Sequence, residues 1–130
     1  MVSVYYTHRV GDNPELVEFK CENISCQRAY EIIDDYPWAA EIKFFEQYGE
    51  GGSFYFVLGD MTGLHAAFQF IPVDEGNGLL DVDILLKKGF LGIFGRKSKS
   101  IHFDLLAIDE AKLKIRDMFQ YSLSALYNKY

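Results

Sequence analysis

Cysteine is nearly absent from this chain, with only Cys21 and Cys26 in 130 residues. Their C-x4-C spacing is too sparse for a disulfide framework and wrong for a thioredoxin-like motif. It also offers a zinc ion no second pair of ligands. Both read as reduced thiols beside a strand-to-helix junction. No stretch approaches the ~18 apolar residues of a membrane span. Met1-Val2-Ser3-Val4 has neither a basic segment nor a long apolar one, so no signal peptide is read and a cytoplasmic location is expected. Asn23-Ile24-Ser25 fits the glycosylation pattern, which has meaning only in a secreted chain.

Positive charge is also short: 13 Lys and Arg stand against 19 Asp and Glu, a net charge of −6. That balance speaks against general nucleic-acid binding, which needs a basic face to neutralise phosphates. It fits a soluble protein or one that meets a basic partner. Catalytic signatures are missing too. There is no G-x-S-x-G elbow, G-x4-G-K-[ST] loop, H-E-x-x-H pair or EF-hand loop. Gly49-Glu50-Gly51-Gly52-Ser53 lacks the lysine of a phosphate loop and precedes a strand. No enzyme, cofactor or metal site is therefore expected.

Aromatics are what the chain has in excess: 11 Phe, 9 Tyr and one Trp. Most recur at strand and helix periods, which assigns them to a core. The length fits a single domain, residues 1–130, able to bury that core unaided.

Taken in order, Val2–His8 reads as a strand, and Gly11-Asp12-Asn13-Pro14 as a turn. Leu16–Cys21 returns as a second strand. Ser25 caps a helix whose stripe is Ala29, Ile32, Ile33 and Tyr36, stopped by Pro37. Ile42 and Phe44 alternate with Glu41 and Lys43, predicting a third strand that reaches Tyr48. Ser53–Leu58 is apolar on both faces, as in a central strand. Leu64–Val73, Leu79–Leu86 and Ile101–Leu105 alternate as further strands. Asp109 caps a last helix, with Ile115, Met118, Phe119, Leu123, Leu126 and Tyr130 in one stripe. The expected fold class is α+β: an antiparallel meander of five to seven strands packed against two helices, one of them a long C-terminal helix.

The opposite sheet face would then carry His65, Gln69, Asp81, Asp83, His102 and Asp104. That set is raw material for a metal or acid–base site, and equally the composition of a wet strand face.

Two other stretches are candidates for binding. Lys87–Lys99 carries five positive charges and no negative one, so the rest of the chain sums to −11. Its Phe90, Leu91, Ile93 and Phe94 either tuck under the sheet edge or form an apolar tip, rimmed by Arg96 and Lys97, that docks on a protein or anionic membrane. Residues 12–50 hold ten acids and three bases. There Glu31, Asp34, Asp35, Glu41 and Glu46 form either a solvated face or a polyanion mimic that blocks a basic active site.

By size, acidity, richness in Tyr and Phe, and its strand-rich body closed by a helix, the chain resembles the small bacterial immunity proteins that neutralise a cognate toxin. The Gly-Phe-Leu-Gly-Ile-Phe-Gly-Arg-Lys run within Leu79–Lys99 is similar to segments of uncharacterised members. No defining motif is matched, so no functional residue comes with the resemblance. It implies a tight one-to-one complex with a toxin domain and no catalysis. A small acidic secretion-type chaperone is the rival reading. It predicts a homodimer through the Ile115–Tyr130 helix and apolar grooves for a client segment. A third reading, a small-molecule or metal-binding domain, requires His65, His102 and the Asp pair to converge.

Overall fold

The computed structural model describes residues 1–87 and 95–130. Phe90, Leu91, Ile93 and Phe94, singled out above as a docking tip, lie outside the described residues.

Among the described residues, alternating apolar side chains make six strands: β1 (Val2–His8), β2 (Val17–Ile24), β3 (Phe54–Gly59), β4 (His65–Asp74), β5 (Asn77–Lys87) and β6 (Lys97–Ala107). They form one sheet in the order β2-β1-β3-β4-β5-β6, with every neighbouring pair antiparallel. From β3 onward the chain is the expected meander. Before that it is not: β3 pairs with β1, leaving β1 between β2 and β3. The short-turn rule fails there because two helices intervene between β2 and β3.

Those helices are α1 (Cys26–Asp34) and α2 (Trp38–Tyr48), and α3 (Ile108–Gln120) and α4 (Leu123–Lys129) follow β6. The α+β class is as expected, with four helices among the described residues in place of two. None of them is long and apolar enough to cross a membrane.

α1 follows its sequence signals. The Ser25 hydroxyl accepts from Arg28 N at 3.1 Å, and Ala29, Ile32, Ile33 and Tyr36 are all buried. α2 corrects the strand expected over Ile42–Tyr48. Its innermost residue is Glu41, 2% exposed. A charged residue at the centre of the inward stripe hides the helical period, so the short Ile42/Phe44 alternation imitates a strand. Pro37, read as a stop, is also the N-cap residue of α2. Gly49, at φ +72°, ends α2 in the left-handed conformation that glycine adopts without strain.

The C-terminal stripe also divides. Tyr121 is extended (φ −119°, ψ 147°), and Ser122 starts α4 by accepting from Ala125 N at 3.2 Å. Ala107, not Asp109, is the N-cap residue of α3, which places Asp109 and Glu110 in the first turn, where the helix dipole favours them. Ile115, Met118 and Leu126 are at most 1% exposed, so this stripe packs on the chain's own core.

All the helices lie on one face of the sheet. Phe54, Phe56, Phe68, Phe70, Leu80, Val82 and Ile84 point toward them and are essentially inaccessible to water. Each such side chain contributes about 1.5–3 kcal/mol on burial. Trp38 spans the Phe54 and Phe70 rings and donates its indole N–H to the Ile33 carbonyl at 2.8 Å.

Glu41 is therefore no surface acid. It pairs with Arg9, just beyond β1, at 3.1 Å, with both side chains at most 3% exposed. The second Glu41 oxygen accepts from Arg9 N. Arg9 also donates to the Pro14 and Glu50 carbonyls, each at 2.9 Å, and lies over the Phe44 and Tyr48 rings. Removing one partner of such a pair strands a buried charge. Glu41→Ala is expected to lower stability in urea unfolding by about 3 kcal/mol, and the double change Arg9→Met, Glu41→Leu to lose clearly less. Equal losses for the single and double variants would show that the charge pairing is not what matters.

Candidate functional site

Because the helices cover one face, every second strand residue is left on the other. Register aligns these residues into rows. One row crosses all six strands: Lys20, Tyr5, Tyr55, Gln69, Asp81 and His102 are successive partners from β2 to β6. Beside it run Ser3, Val57, Ala67, Asp83 and Ser100. On the other side Ile71, Leu79 and Leu105 are aligned across β4, β5 and β6. Tyr5, Tyr55, Gln69 and Asp81 are half-buried, whereas Val57 and Ala67 beneath their neighbours are 4% and 1% exposed. The face is thus a shallow amphipathic floor with tyrosines near its middle.

Its charges are organised at the β5–β6 end. His102 Nδ1 hydrogen-bonds Asp81 Oδ1, and its other ring nitrogen lies 3.8 Å from Asp104. The hydrogen bond that His102 donates to the Asp81 carboxylate, and then the charge of Asp81, raise the His102 pKa above the ordinary 6.5. The Ser100 hydroxyl donates to Asp83 at 2.5 Å. Asp81, Asp83, Ser100 and His102 border a depression of about 260 Å³ with Gln69 and Ile101. Toward β1 a second depression, about 470 Å³, is lined by Tyr5, Thr7, Glu18, Ser53, Tyr55 and Met61. Partial burial, and then Asp83, raise the Tyr55 pKa, so this phenol stays protonated and able to donate a hydrogen bond. At the β2 edge Lys20 pairs with Glu22 at 2.7 Å and lies over the Tyr5 ring.

Of the polar set predicted for this face, Asp81 and His102 come together and Asp83 stands one row away. His65 is aligned with Leu85, two rows from His102, and its ring contacts the Gly63 carbonyl at 3.0 Å. Asp104 is fully exposed, at a register shift that inserts it between Phe103 and Leu105. Among the described residues no three His, Cys, Asp or Glu side chains are grouped to hold a metal. The two cysteines are free.

The helix-borne acids are dispersed. Glu31 pairs with Arg28 at 3.3 Å, and Asp34 clamps α1 to α3 through Lys112. Asp35 is an exposed C-cap and Glu46 an exposed residue of α2. Arg96 and Lys97 are exposed where β6 begins. Sequence reasoning passed over Tyr5 and Tyr55. The signal for Tyr55 was its hydroxyl, since it is the one aromatic of Phe54-Tyr55-Phe56 with a polar end. The chain matches no protein-family model, no curated protein and no solved structure.

The Asp81 contact has a measurable consequence. A pKa raised in the folded state gives stability that is complete below the unfolded value near 6.5 and is lost as pH rises through the folded value. His102 is therefore expected to titrate above 6.5 by NMR, and Asp81→Asn to move it down. An unchanged titration in that variant would sever the assigned link.

Proposed function

We propose that this chain is a binding protein of the immunity type, which neutralises a cognate toxin domain by covering it. The uncovered sheet face is the contact surface. What carries this reading is the row of half-exposed Tyr5, Tyr55, Gln69 and Asp81 across the sheet. Tyrosines combine a large apolar area with few rotamers to freeze, and so anchor protein interfaces well. Strands hold them at fixed spacing, which lowers the ordering cost of association.

The charges around the anchors indicate the partner's chemistry. Glu18, Glu22, Asp81, Asp83 and Asp104 are set against Lys20 and His102. A toxin that acts on a polyanion presents a basic surface, and carboxylates on a rigid sheet are complementary to it. Such complementarity speeds encounter and excludes wrong partners more than it adds affinity. The acids of α1, Glu31 and Asp34, lie in the helical layer, away from this row.

The test is capture of a partner by tagged protein, followed by affinity measurement with variants. Tyr55→Ala, and Asp81→Lys with Asp83→Lys, should each weaken the complex by ~30-fold or more in protein shown to be folded by circular dichroism. Glu31→Lys with Glu46→Lys should leave affinity near wild type. The captured partner, expressed alone, should arrest growth, and co-expression of this chain should relieve the arrest. Loss of binding in the helix variant alone would move the interface to the helical layer. A partner harmless on its own would remove the immunity reading.

A further inference from the structure

β6 ends the sheet, and only β5 pairs with it among the described residues. The outer backbone groups of such a strand are a template for a further strand. From Ser98 to Phe103 its register against Leu85–Leu80 is uninterrupted, so no bulge breaks the template over that length. The opposite edge is poorer. Asn23 in β2 takes a left-handed conformation (φ 51°), and the β1–β2 register shifts between Val2 and Val4.

Alongside β6, on its helical side, runs a groove of about 560 Å³. Ile101, Phe103, Leu113 and Tyr130 supply its apolar wall, and Lys114 and Arg116 its rim. Leu113 is 54% exposed, large for a leucine beside a core. The Lys114 ammonium stands 4.3 Å from the Phe103 ring centre. Lys129 and Asp117, at the same groove, neutralise each other at 3.1 Å. Arg96, Lys97 and Lys99 add positive charge at the start of the strand. The edge and its groove are thus cationic on a chain of net charge −6.

We propose that β6 is a strand-addition site for an extended segment of another protein in which acidic and apolar side chains are interspersed. Backbone hydrogen bonds to β6 would hold the segment. Every second side chain would enter the groove, apolar ones against Phe103 and Leu113, carboxylates to Lys114 and Arg116. The charge selects this occupant over a second copy paired β6 to β6, because on each copy Arg96, Lys97, Lys99, Lys114 and Arg116 outweigh Asp104. What binds at β6 is independent of what meets the uncovered face, since these groove side chains point to the helical side of the sheet.

The test uses the full chain and a labelled peptide of roughly ten residues in which Glu alternates with Val and Phe. Fluorescence anisotropy should show saturable binding that weakens about tenfold or more between low and high salt. The same peptide with Lys for Glu should not bind. Backbone N-methylation at alternate positions should abolish binding in one register and spare it in the other, because only every second N–H of an added strand faces β6. Lys114→Glu with Arg116→Glu should weaken binding at least tenfold with an unchanged unfolding midpoint. Four results would overturn the proposal: no binding at millimolar peptide, equal sensitivity in both N-methyl registers, equal competition by a single-stranded oligonucleotide, or sedimentation showing that the free chain already self-associates through this edge.

Discussion

The buried pair of Arg9 and Glu41 is the constraint on which the arrangement at the β1 end of the sheet depends. One guanidinium reaches the β1–β2 connection at Pro14, α2 at Glu41 and the α2–β3 connection at Glu50. α2 needs such a tie. It has no side-chain N-cap bond, and Glu41 is the one residue of α2 that is fully buried. Charges this far from water carry a desolvation cost of several kcal/mol per ion. Here the cost is offset by a hydrogen bond from each guanidinium nitrogen and by the Phe44 and Tyr48 rings beside it. With α2 fixed, Trp38 can close over Phe54 and Phe70. The tyrosine row on the far side of β1 and β3 then lies on strands supported from behind.

This same pair marks where sequence pattern stops being informative. Strands such as β4 and β5 were legible because an apolar inner face alternates with a mixed outer one. α1 was legible because Ser25 and the Ala29–Tyr36 stripe agree. α2 was not, since pattern reading assigns a glutamate to water, and only the distant Arg9 reverses that. The break at Tyr121–Ser122 was hidden for a related reason: the residues on both sides keep apolar positions facing the sheet, so the stripe reads as continuous.

The candidate site was half legible. Alternation correctly placed Gln69, Asp81, Asp83 and His102 on one face. Which of them meet is a matter of cross-strand register, and that is set by turns and bulges between residues far apart in sequence. His65 and His102 look equivalent in sequence and end two rows apart. The helix acids show the converse, for Glu31, Asp34 and Glu41 look alike in sequence. One is paired on its own helix, one clamps two helices together, and one is buried.

β1 lies between β2 and β3, so Tyr5 pairs with Lys20 on one side and Tyr55 on the other. The second closure spans a loop roughly three times longer than the first and costs about 1 kcal/mol more in chain entropy. The β1–β2 hairpin can therefore form early, but β1 acquires its second neighbour only after both intervening helices have left the way clear. On a growing chain, β1 would wait as an exposed edge until β3 has emerged. During that interval Val2 and Val4 have no sheet partner on their β3 side, and this is when the molecule is most open to pairing with the wrong chain.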